Sequence, residues 1–439
     1  MGMLPAEPGV DTADRAPHSG DVLPEDVLRR VDQLGSADLL VGIPCFDNAD
    51  TVGHVVTAVE AGLRKHFPGW TALICASDGG STDGTRDEVL GAEVGDLAET
   101  YLVPRDAPVP AKLCFEYRGS PGKGSAVRSI LEVARRLGVR ACAVIDADLR
   151  SITPYWLDRL LTPVVHHGYG FVAPVYTRHK HDGTITNALA YPLTTALYGT
   201  RVRQPIGGEF AFSGDLAASL AGQDVWDTEV ARFGIDIWMT TTAVVERRRI
   251  CQTILGAKLH DPKDPGRDLA PMFRQVVGTL FALAGRYRDR WWPVEDVTLP
   301  PTVGFRSAFV AEPVEVSMEG LARGFAEGRR AHEEAWRGIL SDRAGAAVAA
   351  LPDDAPALDA EDWTRVMYDY LVAFHAADRS DLLGSMVPLY FARTFAFVRD
   401  TVDDEPEEAE RKVEAGVDVA VGLKDHLRAR WTAAAPVPR

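Results

Sequence analysis

Two aspartates at the end of an apolar segment are the residues of this chain whose spacing most clearly suggests chemistry. Asp146 and Asp148 close the sequence ACAVIDAD, residues 141–148, which is apolar enough for a buried strand. Ligands of open α/β sheets bind outside the carboxyl ends of the strands. A hard divalent cation would relieve the repulsion of two such carboxylates by bridging them to a diphosphate. The pair is therefore a candidate metal site, with a solvated turn as the alternative.

A glycine-rich turn before a helical segment is the second candidate. The sequence SPGKG, residues 120–124, offers backbone N–H groups and the cation of Lys123 to a phosphate. It lacks the G-x-x-x-x-G-K-[ST] spacing of a Walker loop, and an ordinary helix start is the alternative. The loops Pro44–Asn48 and Asp78–Asp83 follow the first two predicted strands, so a nucleoside is expected to rest across this edge of the sheet.

Alternating apolar and amphipathic segments supply the elements that would position these residues. From residue 38 the pattern is typical of a parallel sheet with crossover helices. Strands are predicted at 38–46, 71–77, around 99–105, 141–148, 170–178 and 250–260. From about residue 315 the sequence is typical of helices, broken by the loop LPDDAPALDAED. We expect a Rossmann-like α/β domain at 38–300, preceded by a tail and lead-in helix at 1–37 and followed by an all-α domain at 301–439.

Composition excludes some classes of function. The chain has 439 residues and a net charge of −16, which argues against sequence-independent binding to nucleic acid. Five cysteines, an odd number without a C-x-x-C pair, predict buried structural thiols at Cys45, Cys75, Cys142 and Cys251 and a cytoplasmic protein. The first residues lack the apolar stretch of a secretory signal. The sequence also has no apolar run of about twenty residues, so we expect no membrane span.

Six sequence features in a fixed order resemble one enzyme family over roughly residues 38–275. They are PCFDNADT, SDGGSTDGT, PGKG, VIDADL, QPIGGEFA and a late histidine. This order is similar to that of the retaining GT-A glycosyltransferases that make glucosyl-3-phosphoglycerate, mannosylglycerate and glucosylglycerate. The resemblance implies a GT-A mixed sheet with flanking helices, a nucleotide-diphosphate sugar as donor, and a divalent metal, Mg²⁺ or Mn²⁺.

The resemblance also implies roles for individual residues. The metal ligands would be Asp146, Asp148 and His260, although a lone histidine is more often a satisfied surface or core residue. The reaction centre would hold Asp236, Glu209 and Lys258, with Lys258 neutralising the leaving diphosphate. The implied contacts to the nucleotide and the donor sugar are Pro44, Asp47, Asp78, Gly79, Lys123, Asp146, Gly207, Gly208 and Glu209.

The acceptor region departs from the phosphoglycerate branch of the family. That branch has an Arg-x-Thr pattern whose arginine meets the acceptor phosphate, whereas this chain has Thr184-Ile185-Thr186. Arg178 matches the arginine of the mannosylglycerate branch and suits a small carboxylate. The implied acceptor site is Arg178, Thr184, Thr186 and Asp236, which favours D-glycerate over 3-phosphoglycerate. The C-terminal helices, which the mannosylglycerate branch also has, likewise favour D-glycerate. We expect these helices to serve packing and homodimerisation.

Three other functions are weighed against this one. An inverting GT-A transferase acting on a polyprenyl phosphate would usually carry apolar membrane-associating segments. A nucleotidyltransferase would need a basic glycine-rich loop after the first strand, where this chain has PCFDNADT. A degenerate, non-enzymatic interaction protein would not need Asp146, Asp148, Lys123 and His260 together. The sequence leaves open whether the donor carries glucose or mannose, and whether its base is uracil or guanine.

Overall fold

A computed structural model describes residues 22–95, 97–259, 269–305, 313–376 and 382–434 of the chain. The strands in these ranges are β1 (Leu39–Cys45), β2 (Ala72–Asp78), β3 (Ala111–Glu116), β4 (Ala141–Val144), β5 (Phe171–Thr177), β6 (Phe210–Ser213), β7 (Ile250–Ala257) and β8 (Thr302–Val303). They form one sheet in the order β3-β2-β1-β4-β6-β5-β7-β8. Strand β6 runs antiparallel to its neighbours β4 and β5, and the other described pairs are parallel.

Helices flank the sheet and form the C-terminal part of the chain. They are α1 (Glu25–Leu34), α2 (Ala49–His66), α3 (Thr85–Gly91), α4 (Leu97–Thr100), α5 (Lys123–Leu137), α6 (Tyr155–His167), α7 (Tyr191–Tyr198), α8 (Gly214–Ala221), α9 (Ile235–Val245), α10 (Leu269–Arg286), α11 (Arg288–Trp291), α12 (Met318–Ile339), α13 (Asp342–Ala350), α14 (Ala360–Ala376), α15 (Leu382–Thr401), α16 (Pro406–Gly422) and α17 (Lys424–Ala434). A π-helical turn, Thr186–Ala190, precedes α7. No helix in the described ranges is long and apolar enough to cross a membrane.

The central strands are apolar on both faces because helices cover both sides of the sheet. In β1, Leu39, Val41 and Ile43 pack with α2 and α6, whereas Leu40 points to the opposite face, towards α1, α5 and α8. Helix α5 approaches β1 closely at Gly42, where a Cβ atom would lie 2.3 Å from Cγ2 of Ile130. The result is a three-layer α/β/α arrangement.

Strand register gathers several loops at one edge of the sheet. Cys45 is paired with Asp78, so the loops after β1 and β2 begin side by side. Val144 of β4 is paired with Phe210, the first residue of the antiparallel β6, so Asp146 and Glu209 leave the sheet at the same edge. Thr177 and Ala257 are paired in the parallel strands β5 and β7, which brings the residues that follow them to that edge as well.

The C-terminal helices share an apolar core with helices that flank the sheet. Phe273 and Leu280 of α10 lie in one buried cluster with Trp363 and Tyr390 of α14 and α15. The Trp363 indole N–H donates to the carbonyl oxygen of Ala188 in the π-helical turn at 2.6 Å. This helical element is thus packed directly against the segment that precedes α7.

The predicted fold class is confirmed, with corrections at three strands. The prediction of a strand around residues 99–105 was wrong, because this segment contains the end of α4 and then a turn at Leu102, whose φ is 55°. The third strand is β3, further along the chain, where the residues of AKLCFE (111–116) pair with β2. The antiparallel strand β6 and the two-residue strand β8 were not predicted. The four cysteines predicted to be buried structural thiols are buried and unpaired.

Candidate active site

Two lysines and three carboxyl groups form a cluster at the edge where these loops converge. The Lys123 ammonium lies 2.7 Å from Oδ1 of Asp146 and 3.2 Å from Oδ1 of Asp236. The Lys258 ammonium lies 3.3 Å from Oδ2 of Asp146 and 2.9 Å from both carboxylate oxygens of Glu209. Asp146 therefore joins the two lysines. The five side chains come from α5, the end of β4, the start of β6, α9 and the end of β7.

Burial sets the protonation of this cluster. Burial raises the pKa of Glu209 to about 8, against the opposing effect of Lys258. Burial likewise raises the pKa of Asp236, although the nearby Lys123 acts in the opposite direction. Burial would lower the pKa of Lys123, but Asp146 and Asp236 more than offset it and keep that ammonium charged. With a pKa of about 8, Glu209 is largely protonated near neutral pH, which reduces the negative charge gathered around the two lysines.

Tyr176 closes the buried end of the cluster. Its hydroxyl group hydrogen-bonds the Glu209 carboxyl group and donates to the carbonyl oxygen of Gly207 at 3.2 Å. Lys258 donates to the same carbonyl oxygen at 2.9 Å and lies over the Tyr176 ring. The sequence interpretation missed Tyr176. It stands in β5 two residues before Arg178, which directly follows the strand, and alternate residues of an extended segment share a face.

Gly208 lies in contact with the charged cluster. Its φ is 94°, in the left-handed region that favours glycine. A Cβ atom at this position would lie 2.3 Å from Oδ2 of Asp146 and 2.8 Å from Nζ of Lys258. The backbone therefore passes against the carboxylate at a distance that only glycine permits.

Replacing Gly208 by alanine is expected to impair both folding and catalysis. The left-handed backbone alone costs a non-glycine residue about 1–3 kcal/mol. The added methyl group must also displace Asp146 or Lys258, and a shift of about 1 Å in a catalytic group can cost about 10²-fold in rate. Thermal unfolding and turnover measure the two effects.

Gly338 of α12 provides the matched control. A Cβ atom added to this glycine would have no other atom within 4 Å. Gly338→Ala is expected to stabilise by about 0.5–1 kcal/mol or leave stability unchanged, because alanine favours the helix. Equal melting temperatures and turnover for Gly208→Ala and the wild type would contradict the close approach.

The donor set at the end of β4 fits a hard divalent cation. Asp146 and Asp148 provide carboxylate oxygens, and Mg²⁺ is commonly held by one or two carboxylates together with substrate phosphates. The described ranges contain no cluster of three or more His, Cys, Asp or Glu side chains able to hold a metal ion. Phosphate oxygens, water or a further residue would therefore have to complete the coordination. His260, the third expected ligand, lies outside the described residues.

The loops after β1 and β2 interlock beside the cluster. The Asp47 backbone, with φ of 49°, donates to Ser81 Oγ at 2.8 Å, and Oδ1 of Asp47 accepts from the Thr82 N–H at 3.0 Å. The Phe46 ring is 60% exposed and lies against Gly79. Such a ring is suited to stack on a base. The sequence interpretation did not select Phe46, although an aromatic residue just after a buried strand is a usable signal.

Pro44 and Asp78, both predicted to contact the nucleotide, are buried within strands β1 and β2. Pro44 is inside β1, paired with Ser77 of β2, rather than in the loop that follows. Asp78 is fully buried, and its Oδ2 accepts from the N–H groups of Gly80 and Ser81 at 3.2 and 3.0 Å. Its carboxylate thus shapes the loop 79–84. Contact of either residue with a nucleotide stays a prediction.

Arg178 follows β5 and stands close to the cluster. Its guanidinium group stacks over the Tyr176 ring and lies 3.9 Å from Oδ2 of Asp182. Burial lowers the pKa of Arg178, and Nε of this side chain is buried without a hydrogen-bond partner among the described residues. The distance to Asp182 is long for an ion pair. Arg178 therefore keeps capacity to bind an anion.

The segment 178–186, which we name the acceptor loop, is held by the C-terminal helices. The Lys180 ammonium donates to the carbonyl oxygens of Val402 and Asp404, each at 2.7 Å. Thr184 Oγ1 and the Tyr390 hydroxyl group of α15 are hydrogen-bonded at 2.5 Å. Thr186, another predicted acceptor contact, is buried at the start of the π-helical turn.

His181 makes the attachment of this loop sensitive to pH. Its Nε2 lies 3.0 Å from Oγ1 of Thr401, and burial lowers its pKa from 6.5 to about 4. Between these pH values the unfolded chain binds more protons than the folded one, so the free energy of unfolding falls as the pH is lowered through this window. We expect a loss of up to about 3 kcal/mol, since one pKa unit corresponds to about 1.4 kcal/mol.

Denaturant unfolding at a series of pH values tests the role of His181. His181→Gln should lose less stability than the wild type between pH 6.5 and 4, because glutamine does not titrate. The exposed His167 of α6 gives the control, and His167→Gln should follow the wild-type curve. Identical slopes for His181→Gln and the wild type would contradict the assignment.

The chain was also compared with known proteins. No family model matches it, and no curated protein matches it. The solved structures similar to it include glucosyl-3-phosphoglycerate synthase from Mycobacterium tuberculosis with Mg²⁺ and UDP, at 22% identity over 58% of this chain and 83% of that chain, with a TM-score of 0.43. The same enzyme with Mn²⁺, UDP-glucose and glycerol 3-phosphate shows 22% identity, coverage of 60% and 85%, and a TM-score of 0.43. At this identity and TM-score the likeness carries no argument about function. The function proposed below rests on the geometry of the site.

Proposed function

We propose that this chain is a metal-dependent glycosyltransferase. It moves a hexose from a nucleotide-diphosphate sugar to D-glycerate or a similar small hydroxy acid, with retention of configuration, and yields an α-glycosylglycerate. The observation that carries the proposal is the cluster of Lys123, Lys258, Asp146, Glu209 and Asp236 at the carboxyl edge of the sheet. The same edge carries the candidate metal ligands and an exposed aromatic ring for a base.

The two lysines suit a diphosphate that gains charge as its bond to the sugar breaks. Lys258 is held by Glu209, Gly207 and Asp146, so its ammonium group has a fixed position before the substrate binds. Preorganised charge of this kind lowers the barrier because it needs no reorganisation during the reaction. Lys123, between Asp146 and Asp236, places a second cation on the other side of Asp146.

Asp146 and Asp148 would hold the metal, together with His260 if the expected ligand set is complete. A bound divalent cation supplies electrostatic stabilisation of the diphosphate leaving group. The protein side chains supply the rest of the chemistry. Glu209 and Asp236 orient the donor and acceptor hydroxyl groups, and no separate general base is needed where the departing phosphate oxygen accepts the acceptor proton.

Arg178 supports a small carboxylate as part of the acceptor. The guanidinium group is largely buried beside Tyr176, and its contact with Asp182 is long at 3.9 Å. A carboxylate could form two parallel hydrogen bonds with it. The corresponding loop has Thr184 where the Arg-x-Thr pattern of the phosphoglycerate branch has its phosphate-binding arginine, so D-glycerate is the acceptor we favour over 3-phosphoglycerate.

A matrix of donors and acceptors tests this function. UDP-glucose, GDP-glucose and GDP-mannose would each be incubated with D-glycerate or 3-phosphoglycerate in Mg²⁺ or Mn²⁺, and released nucleotide would be measured. The proposal expects turnover with D-glycerate that stops on chelation, and an α-linked product by NMR. A β-linked product would exclude retention. Turnover with 3-phosphoglycerate alone would show that D-glycerate is not the acceptor. No turnover with either compound would exclude both as acceptors.

A further inference from the structure

A crevice bordered by Thr184 of the acceptor loop is lined by none of the five side chains of the charged cluster. The crevice is partly open to solvent and lies between the π-helical turn and helices α14, α15 and α16. Its apolar wall comes from small side chains and two aromatic rings. Its polar lining residues are Thr184, Asn187, Thr364, Thr394 and Arg393.

Nearly all polar groups of this crevice already have partners. Thr364 and Thr394 donate to carbonyl oxygens one turn earlier in their helices, at 2.7 and 2.9 Å. Thr184 is bonded to the hydroxyl group of Tyr390. The Asn187 side chain accepts from Arg203 at 2.9 Å and donates to the carbonyl oxygen of Asp182 at 3.3 Å. These groups shape the crevice but have little left to offer a ligand.

Arg393 is the exception among the lining residues. Across the described parts of the chain, its guanidinium group has neither a hydrogen bond nor an ion pair. The two acidic residues whose charge acts on it are engaged elsewhere, because Asp359 accepts from the Asp362 N–H at 2.9 Å and Asp400 accepts from Arg399 at 2.8 Å. Desolvation lowers the pKa of Arg393, and these two carboxylates only partly offset the effect.

The Arg393 side chain is half-buried, and a partly desolvated cation without an ion-pair partner reduces the stability of a fold. A bound anion would pair with this cation and remove the loss of stability. A guanidinium group matches carboxylate and phosphate oxygens in a planar, bidentate geometry. The crevice also borders a π-helical turn, a distortion that occurs frequently at functional sites.

We propose that this crevice binds a small anion, a carboxylate or a phosphate monoester, with Arg393 as its counter-ion. The anion occupies the space between α15 and the π-helical turn, next to Thr184 of the acceptor loop. It comes from one of two sources. In the first case it is the charged end of the acceptor itself, bound by both Arg178 and Arg393. In the second case it is a separate metabolite whose binding affects the acceptor loop.

Calorimetric titration without a sugar nucleotide tests the site. Inorganic phosphate, D-glycerate and 3-phosphoglycerate are the probes, each added to the wild type, Arg393→Met, Arg393→Lys and Arg399→Met. At least one probe is expected to bind the wild type and Arg399→Met alike, and at least about tenfold more weakly to Arg393→Met. Arg393→Lys should retain part of the affinity because it keeps the charge. Arg399 is the control because it lies on the same helix and already pairs with Asp400.

Thermal unfolding separates an anion site from a purely structural arginine. Without added anion, Arg393→Met should melt at or above the wild-type temperature, because it replaces a half-buried charge that has no ion-pair partner by an apolar side chain. Equal probe binding by Arg393→Met and the wild type, no binding of any probe to the wild type, or a lower melting temperature of Arg393→Met without anion would overturn the proposal.

Arg178→Met distinguishes the two sources of the anion. Weakened binding in Arg178→Met as well as Arg393→Met identifies the acceptor, and weakened binding in Arg393→Met alone identifies a separate metabolite. Both outcomes support an anion at Arg393. Because no donor sugar is present, failure of this test leaves the proposed transfer reaction standing, and failure of the transfer assay leaves the anion site standing.

Discussion

Lys258→Met is expected to lower kcat by about 10²–10³-fold, the loss typical of removing one preorganised group that stabilises developing charge. The Lys258 side chain is only 6% exposed and is fixed by contacts to Glu209, Asp146 and Gly207. Its charge acts mainly on the diphosphate as the sugar leaves, so KM for the donor should change much less than kcat. Steady-state kinetics with the best donor and acceptor of the substrate matrix measure both constants.

The fold should tolerate this substitution because the cluster can adjust its protonation. Glu209 has a pKa of about 8, which Lys258 holds down, so the variant leaves Glu209 protonated and uncharged at neutral pH. Lys65→Met, a change on α2 away from the cluster, is the control and should leave kcat unchanged. A kcat of Lys258→Met within about tenfold of the wild type, with a normal melting temperature, would remove Lys258 from the reaction centre.

Much of the fold follows from local sequence patterns. Buried strands such as β1 and β4 are continuous apolar runs, and the helices between them repeat apolar residues at helical spacing, so both types of element are recognisable. The third strand was misplaced because residues 99–105 and 111–116 contain similar apolar residues. Pairing with β2 decides between them, and that is a long-range property of the sheet.

The candidate site could be predicted where a residue is fixed by its position at a strand end. Asp146, Glu209 and Lys258 come from distant parts of the sequence, but each borders a strand at the same edge of the sheet. Arg393 could not be predicted in this way. It is one of several arginines on amphipathic helices, and its unpaired state depends on how α14, α15 and the π-helical turn pack together.

Asp148→Ala is expected to abolish metal-dependent transfer while leaving the fold intact. A metal ion contributes several kcal/mol of charge stabilisation, and about 1.4 kcal/mol corresponds to tenfold in rate, so kcat should fall by about 10³-fold or more. Asp148 is chosen rather than Asp146 because Asp146 contacts Lys123 and Lys258, both of which belong to the proposed reaction centre. Removing Asp146 would disturb two lysines together with the metal, and the loss of activity would have more than one cause.

Metal binding should be measured directly because activity alone does not identify the lost ligand. In the presence of UDP, titration with Mn²⁺ should give an apparent Kd at least about tenfold higher for Asp148→Ala than for the wild type. Asp215→Ala, at an exposed aspartate in the first turn of α8, should bind Mn²⁺ normally. Normal Mn²⁺ affinity in Asp148→Ala would exclude this carboxylate as a ligand. Low affinity with full activity would show that the metal is not needed for transfer, and the two lysines would then have to stabilise the diphosphate alone.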